Sequence, residues 1–140
     1  MTSHNATALV ELRDSDQVLA DPRQDIRGRT AVDRDGDELG TVQDLLIDAE
    51  EGKVRFLKVE HGGVLGIGAK ASFVPVDIVT RVENETVCVG ESRGRVADAP
   101  GYDPELVDAN DYFEKLYGYY GSTPYWASGY MYPGFPYRGL

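Results

Sequence analysis

Between Ile26 and about Gly90 the chain is a series of short β-branched and aromatic runs separated by Gly, Asp or Asn, a spacing that calls for closely packed strands. RTAV is followed by a turn around Gly36, then TVQDLLID, the turn AEEG and KVRFLKVE. SFVPVDIVTRV and ETVCVG complete the series, with Asn84 and Glu85 at the turn between them. Alternation fails where Leu45, Leu46 and Ile47 are consecutive and where Phe56 meets Leu57. A strand that is apolar on both faces must be covered on both. One face is therefore expected to fill a small barrel, and the other to meet the N-terminal segment, the C-terminal segment or another subunit. Pro75 cannot donate to a ladder and marks a strand start, an edge or a bulge. The expected fold class is all-β.

The stretch DRDGDELG admits two chemistries. Asp33, Asp35 and Asp37 alternate as the first ligands of a calcium loop do, and they are the metal candidates of the chain. An EF-hand loop, however, needs glycine at its sixth position and a bidentate glutamate at its twelfth. Counted from Asp33, glycine comes fourth, Glu38 sixth and Asp44 twelfth. Asp35-Gly36 between two strand runs is instead a strong hairpin signal, because glycine accepts the positive φ of a tight turn. The turn is the preferred reading.

The loop HGGVLGIGAKAS falls short of a phosphate loop. Gly63 and Gly68 have the right separation, but Ala69 follows, Lys70 comes one place late, and the next run is a strand rather than a helix. Its apolar residues Val64, Leu65 and Ile67 either fold over a core edge or anchor a partner. Catalytic and zinc chemistry have little to draw on. His4 and His61 are the two histidines, far apart in sequence, and Cys88 is the one cysteine. Cys88 lies in the apolar run TVCV and is expected to be a buried small side chain. No catalytic residue and no cofactor is assigned.

The flanks differ from the middle. Residues 1–25 are mostly polar, with a short apolar patch at Leu9, Val10 and Leu12, and with Asp16 placed to cap a brief helical turn ahead of Pro22. Residues 93–117 form a linker and a helix over DPELVDANDYFEKLY. Asp103 would cap that helix, Leu106, Phe113, Leu116 and Tyr117 would share one stripe, and Gly118 would stop it. Residues 118–140 are rich in Tyr, Gly and Pro: eight of 23 are aromatic, and Arg138 is the one charged residue. Such a segment lacks the charged composition of a merely solvated tail. The alternatives are a disordered segment, one that covers its own barrel, and one that adheres to another molecule.

Charge narrows the partners. With 14 basic and 24 acidic residues the net charge is −10, which repels nucleic-acid phosphates, so no direct nucleic-acid contact is expected. No apolar run approaches the roughly 18 residues of a membrane span, and the opening residues do not resemble a secretory leader. A soluble, cytoplasmic protein is expected.

The middle region resembles the PRC-barrel domain, named for the photosynthetic reaction centre H subunit. The resemblance is carried by Gly28-Arg29, Val32-Asp33, Gly36, Gly40, Val42, the run Asp44-Leu45-Leu46-Ile47-Asp48 and Val74-Pro75-Val76, over residues 26–92. Ala20 to Gly28, Tyr102 to Leu106 and the aromatic end are similar to stand-alone bacterial members. The resemblance implies a small, mostly antiparallel barrel of about five or six strands, used as an adaptor rather than a catalyst. In the reaction centre subunit the barrel caps a membrane complex. In the ribosome maturation factor it binds a ribosomal protein.

The expected function is a non-catalytic scaffold acting by protein–protein interaction and self-association, with a two-fold dimer as the default. The candidate contact residues are Val64, Leu65, Ile67, Phe113, Tyr117, Tyr120, Tyr125 and Trp126. Alternatives are a ribosome-associated factor acting through a ribosomal protein, an electron-transport accessory and a metal- or ligand-binding sensor.

Overall fold

The computed structural model describes residues 9–12, 19, 21–61, 70–101 and 109–135. These contain seven strands: β1 (Leu9–Glu11), β2 (Thr30–Val32), β3 (Glu38–Asp48), β4 (Val54–His61), β5 (Lys70–Pro75), β6 (Val79–Val82) and β7 (Thr86–Val89). Two helices follow, α1 (Arg93–Ala97) and α2 (Ala109–Tyr120). The strands form one mixed sheet in the order β5-β4-β3-β2-β7-β6, with β1 added beside β3. Every pairing is antiparallel except β2 with β7.

Strand β3 is the spine. At 11 residues it pairs with β4 along one edge, while its other edge is shared by β2 at the start and β1 at the end. The apolar patch at Leu9 and Val10, in the polar N-terminal segment, is thus a strand. SFVPVDIVTRV is two strands, not one. A 3₁₀ turn at Val76–Ile78 separates β5 from β6, and Pro75 ends β5, a strand at one end of the sheet. These two features raise the strand number above the expected five or six. Only three residues join β5 and β6, which stand at opposite ends of the sheet, so the sheet must roll up to bring its ends together. Among the described residues no ladder joins β5 to β6.

Register skips supply the curvature. The β3–β4 ladder passes from Leu46↔Phe56 to Ile47↔Val54, leaving Arg55 without a cross-strand partner, and it skips Gln43 in the same way. An extra residue in one strand bends it and increases its twist. Gly40 lets the coiled strands touch. A Cβ there would lie 2.3 Å from the Glu60 carbonyl oxygen, so no larger residue fits.

The two-faced apolar runs separate cleanly. Leu45, Ile47, Val54 and Leu57 enter the barrel core with residues of β6, β7 and α1. Leu46 and Phe56 point the other way, into a second cluster with Tyr112, Phe113, Leu116, Tyr117 and Tyr120 of α2. The outer cover is therefore the chain's own helix. Helix α2 runs past Gly118 and ends at Gly121, whose φ is +72°. The Ser122 amide donates to the Tyr117 carbonyl at 2.9 Å and the Gly121 amide to that of Gly118 at 3.1 Å. This pair of bonds is a Schellman end, and it needs the positive φ at position 121 rather than at 118. Asp16, Asp103 and Leu106 lie outside the described residues. Cys88 is half-buried, because it sits on the opposite face of β7 from Val87 and Val89, which fill the core.

Asp33 resolves the DRDGDELG question. Its side chain is 3 % exposed, while Asp35 and Asp37 are exposed. One carboxylate oxygen accepts the amides of Asp35 and Asp37, each at 2.8 Å, and the other accepts the Arg93 amide at 2.8 Å. Asp33 thus closes the β2–β3 turn and fastens it to the first turn of α1, where Ser92 is the N-cap. Burial raises its pKa, but the amides of Asp37, Arg93, Asp35 and Gly36 outweigh it and hold the carboxyl below its usual range. The unfolded chain, with an Asp pKa of about 3.9, then takes up this proton before the folded chain does. The stabilisation is fully present above about pH 4 and is lost as pH falls through the lower, folded value. Asp33→Asn is therefore expected to flatten the acid limb of stability against pH, measured by urea midpoints from neutral pH downwards. An unchanged acid limb would contradict this role.

Candidate interaction surface

The outer face of β4 carries a dense set of polar and aromatic contacts. Being skipped by the ladder, Arg55 turns out of register, and its side chain is buried against Asp48 at 2.7 Å, both groups being about 95 % covered. Asp48 also accepts the Glu51 amide, so one carboxylate organises the β3–β4 turn and holds the guanidinium. Three tyrosines surround that cation. The ring centroids of Tyr125, Tyr132 and Tyr130 lie 4.5, 5.3 and 5.8 Å from the Arg55 guanidinium carbon. A desolvated cation among aromatic rings gains about 2 kcal/mol from each favourable face.

Residues 121–135 form a strap across this face, held by a few polar pins. The Tyr130 hydroxyl donates to the Asp77 carboxylate at 2.8 Å, and the Tyr132 hydroxyl donates to the Val54 carbonyl at 2.8 Å. Gln24 ties both partners together. Its amide nitrogen donates to the Tyr132 hydroxyl at 3.1 Å and to the Phe135 carbonyl at 3.4 Å, while its oxygen accepts the Val54 amide at 3.1 Å. Gln24 is presented by a 3₁₀ turn, Pro22–Gln24, capped by Asp21. Trp126 meets Tyr117 edge-on at 5.8 Å, joining strap to helix. Beside the strap lies a small cleft of about 250 Å³, lined by Glu51, Lys53, Arg55, Ala127 and Gly129 among others.

Burial dominates the tyrosine chemistry. It raises Tyr117 and Tyr130, with the Asp77 charge adding to both, and it raises Tyr120 and Tyr132. Tyr125 is pushed up to about 12 by burial, with the Asp48 charge beside it. The hydroxyls of Tyr117 and Tyr120 are buried without a hydrogen-bond partner among the described residues. Each such group costs about 1–3 kcal/mol of desolvation.

A wider cleft, about 640 Å³, opens between the β2–β3 turn, the end of β4 and α1, lined by Glu38, Gly40, Glu60, His61, Arg93 and Val96 among others. His61 Nε2 stands 3.2 Å from Ser72 Oγ across the β4–β5 ladder. Among the described residues no three His, Cys, Asp or Glu side chains are grouped closely enough to hold a metal ion. No described helix is long and apolar enough to cross a membrane.

Of the candidate contact residues, Phe113, Tyr117 and Tyr120 are at most 7 % exposed and pack on the chain's own barrel. Tyr125 and Trp126 are half-buried in the strap, and Val64, Leu65 and Ile67 lie outside the described residues. Arg55, Gln24 and Asp77, which hold the strap, are absent from that set. An arginine inside the otherwise apolar VRFL was the available signal for Arg55.

The rolled mixed sheet, with its outer face covered by a helix and an aromatic strap, defines a small β-barrel module. The sequence matches the family model of the PRC-barrel domain over residues 21–92, more than half its length, and the chain belongs to that family. No curated protein matches the sequence.

Two series of hydroxyl deletions separate unpaired phenols from pins. Tyr117→Phe and Tyr120→Phe remove buried unpaired hydroxyls and are expected to stabilise the fold by roughly 1 kcal/mol each. Tyr130→Phe and Tyr132→Phe remove bonded ones and are expected to destabilise it by about 1–2 kcal/mol. Denaturant midpoints at constant slope decide the matter. Alkaline titration gives a second check. The raised tyrosines keep their protons in the folded state, so their stabilisation is complete below about pH 10 and fades as pH rises towards the folded values. Tyrosinate absorbance should then lag behind that of free tyrosine and rise together with the loss of structure.

Proposed function

We propose that this PRC-barrel chain is a non-catalytic cytoplasmic adaptor that works by protein–protein contact, including association with further copies of itself. The strap carries the reading. A linear aromatic segment lies on the barrel's outer face, held by a buried arginine, a carboxylate, a strand carbonyl and a glutamine, which is how a peptide-binding module holds its ligand. Family membership supports a small barrel module of the interaction type. The net charge of −10 favours basic protein segments over nucleic acid as external partners.

Sedimentation of the full chain over a wide concentration range tests the association. A species heavier than the monomer that grows with concentration is expected, and a monomer throughout would remove self-association. Co-sedimentation with ribosomes at low and moderate salt examines the ribosome-associated alternative. Retention of naked RNA by the purified chain would contradict the charge argument, and turnover of a substrate would contradict the adaptor reading.

A further inference from the structure

We infer that the outer face of β4 is a docking groove for a Tyr/Gly/Pro-rich segment, and that its partner in trans is the strap of a second copy of this chain. The inference rests on the self-association part of the proposed function and supplies its mechanism.

The structure itself shows which ligand the groove accepts. Gln24, Val54, Arg55 and Asp77 receive Tyr125, Tyr130, Tyr132 and Phe135 of residues 121–135. All of these contacts are made by side chains or by strand groups of the barrel, and none requires the strap to join the sheet. A strap from another copy would therefore make the same bonds, so exchange loses no contact and costs only the freedom of association. The hinge is built in: Gly121 at φ +72°, then Ser122, Thr123 and Pro124, of which Gly121 and Thr123 are exposed.

Charge selects the same segment. The first 117 residues hold all 24 acidic side chains, so two barrels repel each other. Residues 118–135 carry no charge at all, which makes them the stretch that a second acidic copy repels least. The groove meets them with the cationic groups of Arg55 and Lys53, whose Nζ lies 5.2 Å from the Tyr132 ring centroid. The tethered strap competes at an effective concentration on the order of millimolar. Exchange therefore belongs to concentrated or locally clustered protein.

Cross-linking of the full chain tests this. In a Cys88→Ser background, one chain carries Lys53→Cys and the other Ala127→Cys, two positions that line the same cleft. The chains are mixed, held at high concentration, diluted and treated with a short bis-maleimide. Covalent heterodimer linked through positions 53 and 127 is expected several-fold above a control pair whose second cysteine replaces Thr80, an exposed residue of β6. Excess synthetic peptide of residues 121–135 should suppress it. Cross-linking no better than the control at every concentration would overturn the inference. Sedimentation of the unmodified chain, run in parallel, separates the two failures. Oligomers without the 53–127 link leave self-association standing and remove strap exchange, whereas a monomer without the link removes both.

Discussion

Leu46 and Phe56 face away from the barrel interior, and an apolar outer face cannot be left in water at no cost. The described residues of α2 and of the strap are arranged around that constraint. Phe56 is fully buried, and Phe113 and Tyr117 of α2 lie tilted against its ring with centroids at 4.9 and 5.0 Å. Removing its ring would cost about 3–5 kcal/mol, a large share of the stability of a small domain. The helix is thus a second wall of the core. A barrel of this length has little interior to stabilise it, and a satellite cluster outside the sheet enlarges the buried apolar area without lengthening the strands.

Polar groups decide where the remaining segment goes. Aromatic side chains adhere to any apolar face, so hydrophobic contact alone would leave the strap free to slide. Arg55 prevents that. A buried cation must be neutralised by Asp48 and enclosed by tyrosine rings, and the bonds from Tyr130 to Asp77 and from Tyr132 to Val54 fix the register. A buried ion pair contributes little net stability compared with apolar residues of the same volume, and its value lies in specifying one arrangement. The unpaired hydroxyls of Tyr117 and Tyr120 show the opposite case within the same cluster. Their rings are needed to fill space, while their oxygens are stranded. The interface between α2 and the barrel is therefore apolar and closely packed but uneven in polarity.

Much of this was legible in the chain. Consecutive apolar residues at Leu45–Ile47 and Phe56–Leu57 announced a sheet needing two covers, and the Asp35-Gly36 turn and the helical stripe through Phe113, Leu116 and Tyr117 stand where the pattern put them. Local pattern failed where the cause was non-local. Gly118 is a plausible helix stop by composition, but helix propensity was overridden by the packing of Tyr120 under the outer cluster, and the left-handed residue came at Gly121. Leu9–Glu11 is too short to read as a strand until the vacant half of β3's edge is seen. The role of Arg55 is not legible in its own strand, because it depends on a skipped register, a property of two strands rather than of one.

Asp33 shows how one residue type serves folding where it was a candidate for metal binding. A calcium loop directs several carboxylates at one point, whereas here two amides of the turn and one of α1 converge on one carboxylate. The two arrangements are electrostatic inverses, and alternation of aspartates is compatible with either until the amides are placed. Since the Arg93 amide comes from α1, sixty residues further along, the carboxylate also sets where the chain leaves the barrel. The contact places the first turn of α1 beside the β2–β3 turn.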